Sequence, residues 1–167
     1  MGVYLAIPAG IVGAVLQSAL MPHLRIFGAA PNLVLVVLIT WVLLVRTQDG
    51  VVFALSAGVA LDTLSSAPFG LAIAGLTIVA LLAGLVGANL FRAAWYLPYL
   101  SVTVSTLLYG ALGIMALQAV GRLAPFGLSM LHAVLPELAA NLVLMAGVYE
   151  LARAWVGWRR RRRGEVG

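Results

Sequence analysis

The sequence has no cysteine and no lysine, and only 9% of its 167 residues are charged. Without cysteine there is no disulfide framework and no thiolate-ligated metal site. Without lysine, a phosphate-cradling Gly-Lys loop cannot form. With so few charges and 63% hydrophobic residues, the chain lies outside the soluble globular range, and little is left over for a soluble domain. The two histidines, His23 and His132, stand apart from any carboxylate at helical spacing, which argues against a metal site. Ser18, Ser56, Ser101 and Ser105 lie in apolar segments with no histidine within four positions, so no nucleophile and base pair is legible.

What remains is long uncharged runs. Met1 to Leu24, Ile26 to Val45, Thr63 to Phe91 and Ala93 to Gly121 carry no charge. A bilayer core roughly 30 Å thick takes about 20 apolar residues to cross as a helix. Two further apolar segments contain acids: Val51 to Ala67 with Asp62, and Pro136 to Trp158 with Glu137, Glu150 and Arg153. Six spans are predicted, forming one all-α transmembrane domain over residues 1–167 with a short arginine-rich tail over 159–167. The first run lacks a positive flank before it and is read as a retained span. Position 6 is Ala6, where a myristoylation motif needs Ser or Thr.

Turn chemistry divides the spans. Met21-Pro22 ends the first and Pro31-Asn32 opens the second. Arg46 to Gly50 makes a tight hairpin, and Ser65 to Gly70 separates the third from the fourth. Phe91 to Trp95 joins the fourth to the fifth. Beyond Arg122, residues Leu128 to Leu135 are expected along the membrane surface, with the last helix starting at Pro136 and Glu137 in its first turn, favoured by the helix dipole.

All ten basic residues are arginine. Six spans with the run Arg159, Arg160, Arg161, Arg162 and Arg163 inside put both termini in the cytoplasm. Arg46, Arg92 and Arg153 then join the run on the inner side, leaving only Arg25 and Arg122 outside. The run is read as a topology anchor on anionic lipids rather than a nucleic-acid patch.

Candidate functional residues are few. Asp62 either caps the turn that follows it or serves as a ligand or proton site. Glu150 and Arg153, at i, i+3, can pair locally, or Glu150 can meet a partner's arginine. Ala6, Gly10 and Ala14 recur every four residues, with Ala9 and Gly13 on the adjacent ridge. Such faces admit close helix contact, within the chain or as a docking face for another protein's helix. Ala54, Gly58 and Asp62, and Ala80, Gly84 and Ala88, repeat the pattern. Asn32, Asp62 and Asn141 are the polar groups expected to hydrogen-bond to a docked helix of another protein.

The Pro31-Asn32 opening with Leu33, and the turn Asp62, Ser65, Pro68, Gly70, resemble the rod shape-determining protein MreD family. Length, span order and the arginine-rich end agree. Ser66 stands where the family usually has glycine, and Asn141 is similar to a polar position of the family's last span. The resemblance implies a non-enzymatic, cofactor-free component of the cell-elongation machinery in the bacterial inner membrane. It implies an MreC-like bitopic protein as partner, and RodA with a class B penicillin-binding protein in a larger complex that makes peptidoglycan. It also implies a fold similar to energy-coupling-factor substrate-binding subunits, and it leaves a homodimer open. The alternative is a vitamin-binding transporter subunit. A lipid-modifying enzyme would need more converging ionisable groups than this chain offers.

Overall fold

A computed structural model of the chain describes residues 2–25, 28–65, 67–89, 95–121 and 125–162, and for 2–3, 87–89 and 159–162 it describes the backbone course alone. The described residues form α1 (Gly2–Ala19), α2 (Leu33–Leu44), α3 (Thr47–Leu64), α4 (Leu71–Asn89), α5 (Leu97–Ala119), α6 (Phe126–Ser129) and α7 (Leu135–Arg162). A π-helical turn over Met130–Val134 joins α6 to α7. Backbone angles stay right-handed helical through the junctions at Ser129, Met130 and Leu135, so α6, the π turn and α7 make one rod.

That rod corrects one expectation. Leu128 to Leu135 does not form a separate surface segment ahead of a helix at Pro136; it continues into α7. A helix satisfies its own backbone groups, which irregular chain in hydrocarbon cannot do. Pro136 has no N–H for the carbonyl four residues earlier and its ring crowds that carbonyl. The wide π turn falls where this conflict arises, with the Leu135 N–H donating to Met130 O.

The other boundaries follow local chemistry. Asn32 caps α2, its Oδ1 accepting from the Leu35 N–H at 3.1 Å. The α2–α3 hairpin turns at Arg46, and α4 starts after Gly70, whose φ of +96° suits a residue without Cβ. A short 3-10 turn over Met21–His23 follows α1. Ser66, the residues 91–94 that carry most of the predicted α4–α5 turn, and Arg122 lie outside the described residues.

α2 is the centre of the bundle. Val34, Leu35, Val36, Leu38 and Ile39 have no exposed surface at all, as an all-round apolar helix requires. It packs against α3, α4, α5 and α7, while α1 lies along α3 and α5 along α7. Trp41 stacks on Phe53 of α3 with ring centroids 5.9 Å apart. α1 is peripheral, and Tyr4, Leu5, Ile11, Val12 and Val15 face outward.

The ridge Ala6, Gly10 and Ala14 is not a free docking face. Ala6 and Ala14 are fully buried, and a Cβ on Gly10 would run into Ser56 Oγ and to within 2.9 Å of the Phe53 carbonyl. Gly13 on the adjacent ridge also points inward, its Cβ position 3.7 Å from both Phe53 and Val34. Apolar attraction between helices vanishes in lipid, so close backbone approach is what attaches α1 to α3. Gly58 does the same between α3 and α4, where an added Cβ would lie 2.6 Å from the Ile73 Cα.

The helices differ in height. Tyr4–His23, Leu97–Ala119 and Phe126–Trp158 are long and apolar enough to cross a membrane, whereas Leu33–Leu44 and Leu71–Val86 are shorter apolar helices. The 12 residues of α2 span only about 18 Å at 1.5 Å per residue.

Candidate functional site: a buried polar layer

Where α2 and α4 begin and α1 and α3 end, the bundle brings several buried polar groups together. Asp62, 5% exposed in the last turn of α3, reaches across the Ser65–Gly70 turn to the start of α4. Its Oδ2 accepts from the Gly70 N–H at 2.9 Å and the Ile73 N–H at 3.2 Å, and its Oδ1 accepts from the Ala72 N–H at 2.9 Å. These donors belong to a helix start, whose first N–H groups have no partner within the helix and whose dipole favours a negative charge. The carboxylate therefore staples α3 to α4. Ser65 adds a bond from the Ala67 N–H to its Oγ at 3.3 Å, and Pro68 O accepts from the Leu71 N–H at 3.3 Å.

Asn141, fully buried in α7, ties the opposite side. Its Oδ1 accepts from the Asn32 N–H at 2.6 Å, and its Nδ2 donates to Thr106 Oγ1 of α5 at 3.0 Å. One amide thus joins the start of α2 to the middle of α5 and the second turn of α7. Pro31, buried beside it, has no N–H to satisfy. Pro31 O accepts from Gln17 Nε2 at 3.2 Å, while Gln17 Oε1 accepts from the Leu33 N–H at 2.6 Å. Gln17 thereby docks the end of α1 on the start of α2.

Glu137 lies one turn before Asn141 on the same face of α7. Tyr109 lies about one turn beyond Thr106 on α5. Its ring lies over Gly75 of α4, where an added Cβ would sit 2.8 Å from two ring carbons. Asn32, Asp62, Glu137 and Asn141 therefore share one layer with Gln17, Thr106 and Tyr109.

Of the residues singled out in the sequence, Asn32, Asp62, Ser65, Pro68, Gly70 and Asn141 fall in or beside this layer, where Asn32, Asp62 and Asn141 are buried and bond within the chain instead of to another protein's helix, and Ala6, Gly10, Gly13 and Ala14 lie on the α1 packing ridges. Glu150 and Arg153 are exposed and pair with each other at 3.9 Å. α7 stays helical through Arg162, but the side chains of Arg159 to Arg162, and Arg163 altogether, lie outside the described residues. Sequence reasoning overlooked Gln17, Thr106 and Tyr109, and took Glu137 for a dipole residue. The available signal was cost: a polar side chain within an apolar helix needs a partner, and Gln17 and Thr106 are such residues.

The arrangement is suited to joining helices rather than transforming a substrate. Both Asp62 oxygens are taken by backbone donors, and among the described residues no three His, Cys, Asp or Glu side chains gather as a metal site. Elsewhere, among the described residues, the buried Trp41 Nε1–H and Ser101 Oγ have no hydrogen-bond partner, both nearer the other end of the bundle.

Fold and site together define an all-helical membrane protein whose helix ends are locked to one another by an internal polar layer. No curated protein and no solved structure matches the chain. The family model of the rod shape-determining protein MreD matches residues 2–154 of the 167. The chain belongs to the MreD family, and its role lies in rod shape determination.

Proposed function

We propose that this chain is a non-enzymatic scaffold of the cell-elongation machinery, holding an MreC-like bitopic protein by helix packing in the bacterial inner membrane and, through it, supporting RodA and a class B penicillin-binding protein. The observation that carries the reading is the engagement of Asp62: a buried carboxylate with three backbone donors is committed to architecture. Family membership supports association with other membrane shape proteins. Both termini are placed in the cytoplasm, with the arginine run on anionic lipids, from the sequence's positive-inside bias.

Co-expression with the MreC-like protein and purification on a tag carried by one of them tests the reading. A stable stoichiometric pair is expected. Purified protein that retains a vitamin-like molecule and fails to pair would replace the scaffold with the transporter-subunit alternative.

A further inference from the structure

Asp49, in the first turn of α3, is 6% exposed, yet among the described residues it makes no hydrogen bond and no ion pair. Trp41, whose ring stacks on Phe53 one turn along α3, supplies no bond, because its own Nε1–H has no partner. Arg46, three residues earlier, is exposed and does not pair with it either. The helix dipole weakly favours an acid in a first turn, but that does not account for enclosing a carboxylate without a donor. The Asp49 oxygens still reach the surface: among the described residues, the side-chain polar atoms that are both sealed and unpartnered are Trp41 Nε1 and Ser101 Oγ.

The carboxylate stands at the end of an apolar groove. The groove, about 550 Å³ in volume, runs between α1 and α3 and combines small Ser56 and Ala60, one turn apart, with larger Ile7, Ile11, Leu55 and Val59. Val52 continues its wall towards the start of α3. Asp49, Val52, Ser56 and Ala60 stand at i, i+3, i+7 and i+11, so one face of α3 carries the groove and, a turn before it, the acid. Ser56 Oγ donates to the Phe53 carbonyl at 3.0 Å, so the groove offers Asp49 no donor. Small residues set among larger ones let a second helix approach closely in lipid.

We propose that this groove seats the single span of the bitopic partner, and that Asp49 pairs with a Lys or Arg at the cytoplasmic end of that span; the inference rests on the scaffold reading above. Charge selects the occupant. α3 begins at the end of the bundle that the positive-inside bias assigns to the cytoplasm, and a single span carries its own excess of Lys and Arg at that same flank. An apolar helix laid along the groove therefore brings a cation to the level of Asp49. A lipid chain brings no charge, and a lipid amine is already paired with its phosphate. A second copy of this chain docked through the same face would bring two carboxylates to one level, where they repel.

The chain has no cysteine, so disulfide mapping against a co-expressed MreC-like protein is direct. Leu55→Cys and Val59→Cys lie in the groove, while Val104→Cys on α5 and Val143→Cys on α7 are similarly exposed positions outside it. Each is combined with single cysteines along the span of an otherwise cysteine-free partner and oxidised in native membranes. The groove variants are expected to cross-link at least about tenfold more than the α5 and α7 variants. Asp49→Asn should lower the partner retained on purification about tenfold with its thermal midpoint unchanged, and Asp49→Lys should abolish retention until the partner's flanking basic residue is changed to Glu. If Asp49→Asn loses its fold, the cross-linking map, made with Asp49 intact, decides. Cross-links confined to Val104→Cys or Val143→Cys overturn the groove and leave the scaffold reading standing, whereas failure of the unaltered chain to retain the partner overturns both. Retention indifferent to a folded Asp49→Asn also overturns the groove. So do groove cross-links between two copies of this chain, which assign it to a homodimer, and loss of bound phosphatidylethanolamine in Asp49→Asn with the partner still held, which assigns it to lipid.

Discussion

Asp62 and Asn141 each satisfy backbone donors that have no other partner, so their replacement should cost more than an ordinary polar substitution. Asp62→Ala leaves the first N–H groups of α4 without an acceptor and is expected to lower stability by about 3 kcal/mol, read as a drop in thermal midpoint in detergent. Asp62→Asn should fall between, since the amide offers one acceptor oxygen where the carboxylate offers two. Asn141→Leu removes the acceptor for the Asn32 N–H and the donor to Thr106 together. We expect a loss of about 2 kcal/mol, with little further loss when Thr106→Val is added, because the pair shares one bond. Sequence alone drew attention to Asp62 as a costly group near an apolar span, to Asn32 as the residue after a helix-opening proline, and to Asn141 through the family resemblance. It could not show that Asn32 and Asn141 meet, since they stand 109 residues apart and nothing local encodes that distance.

Glycine substitutions separate buried seams from open surface. Gly58→Ala should push α3 from α4, because the obstructing atoms are the backbone of Ile73 and Ala72, which cannot rotate away; a cost of about 1–3 kcal/mol is expected for such overpacking. Gly113→Ala meets nothing within 4 Å and should be neutral or stabilise α5 by up to about 1 kcal/mol, the helix-propensity gain. Thermal unfolding of the two variants side by side checks the contrast. The number of principal helices and most turns were legible because prolines, glycines and charges punctuate apolar runs. The joining of residues 128–135 to the last helix was not, because Pro125, Gly127 and Pro136 look like breaks in sequence while a π turn absorbs the conflict at Pro136. The small-residue ridge of α1 was legible as a contact face, but its partner was not: spacing alone cannot distinguish α3 of the same chain from a helix of another protein.

Across the whole molecule, the two halves complete each other. α2 is enclosed on all sides, and its opening residue is held by α7. A chain truncated after Val120 would keep α1 to α5 and lose Glu137 and Asn141. It should be degraded in cells or aggregate on extraction, as protease sensitivity compared with the full chain would show. This interdependence also carries a consequence for biogenesis. A segment as short as α2 has little hold on the membrane when it leaves the ribosome, and the amide that secures its first turn is synthesised more than a hundred residues later. The early helices must therefore wait, loosely inserted, until the final one arrives. Maturation of this protein is a closing event at the end of translation, and quality control has one long interval in which to act.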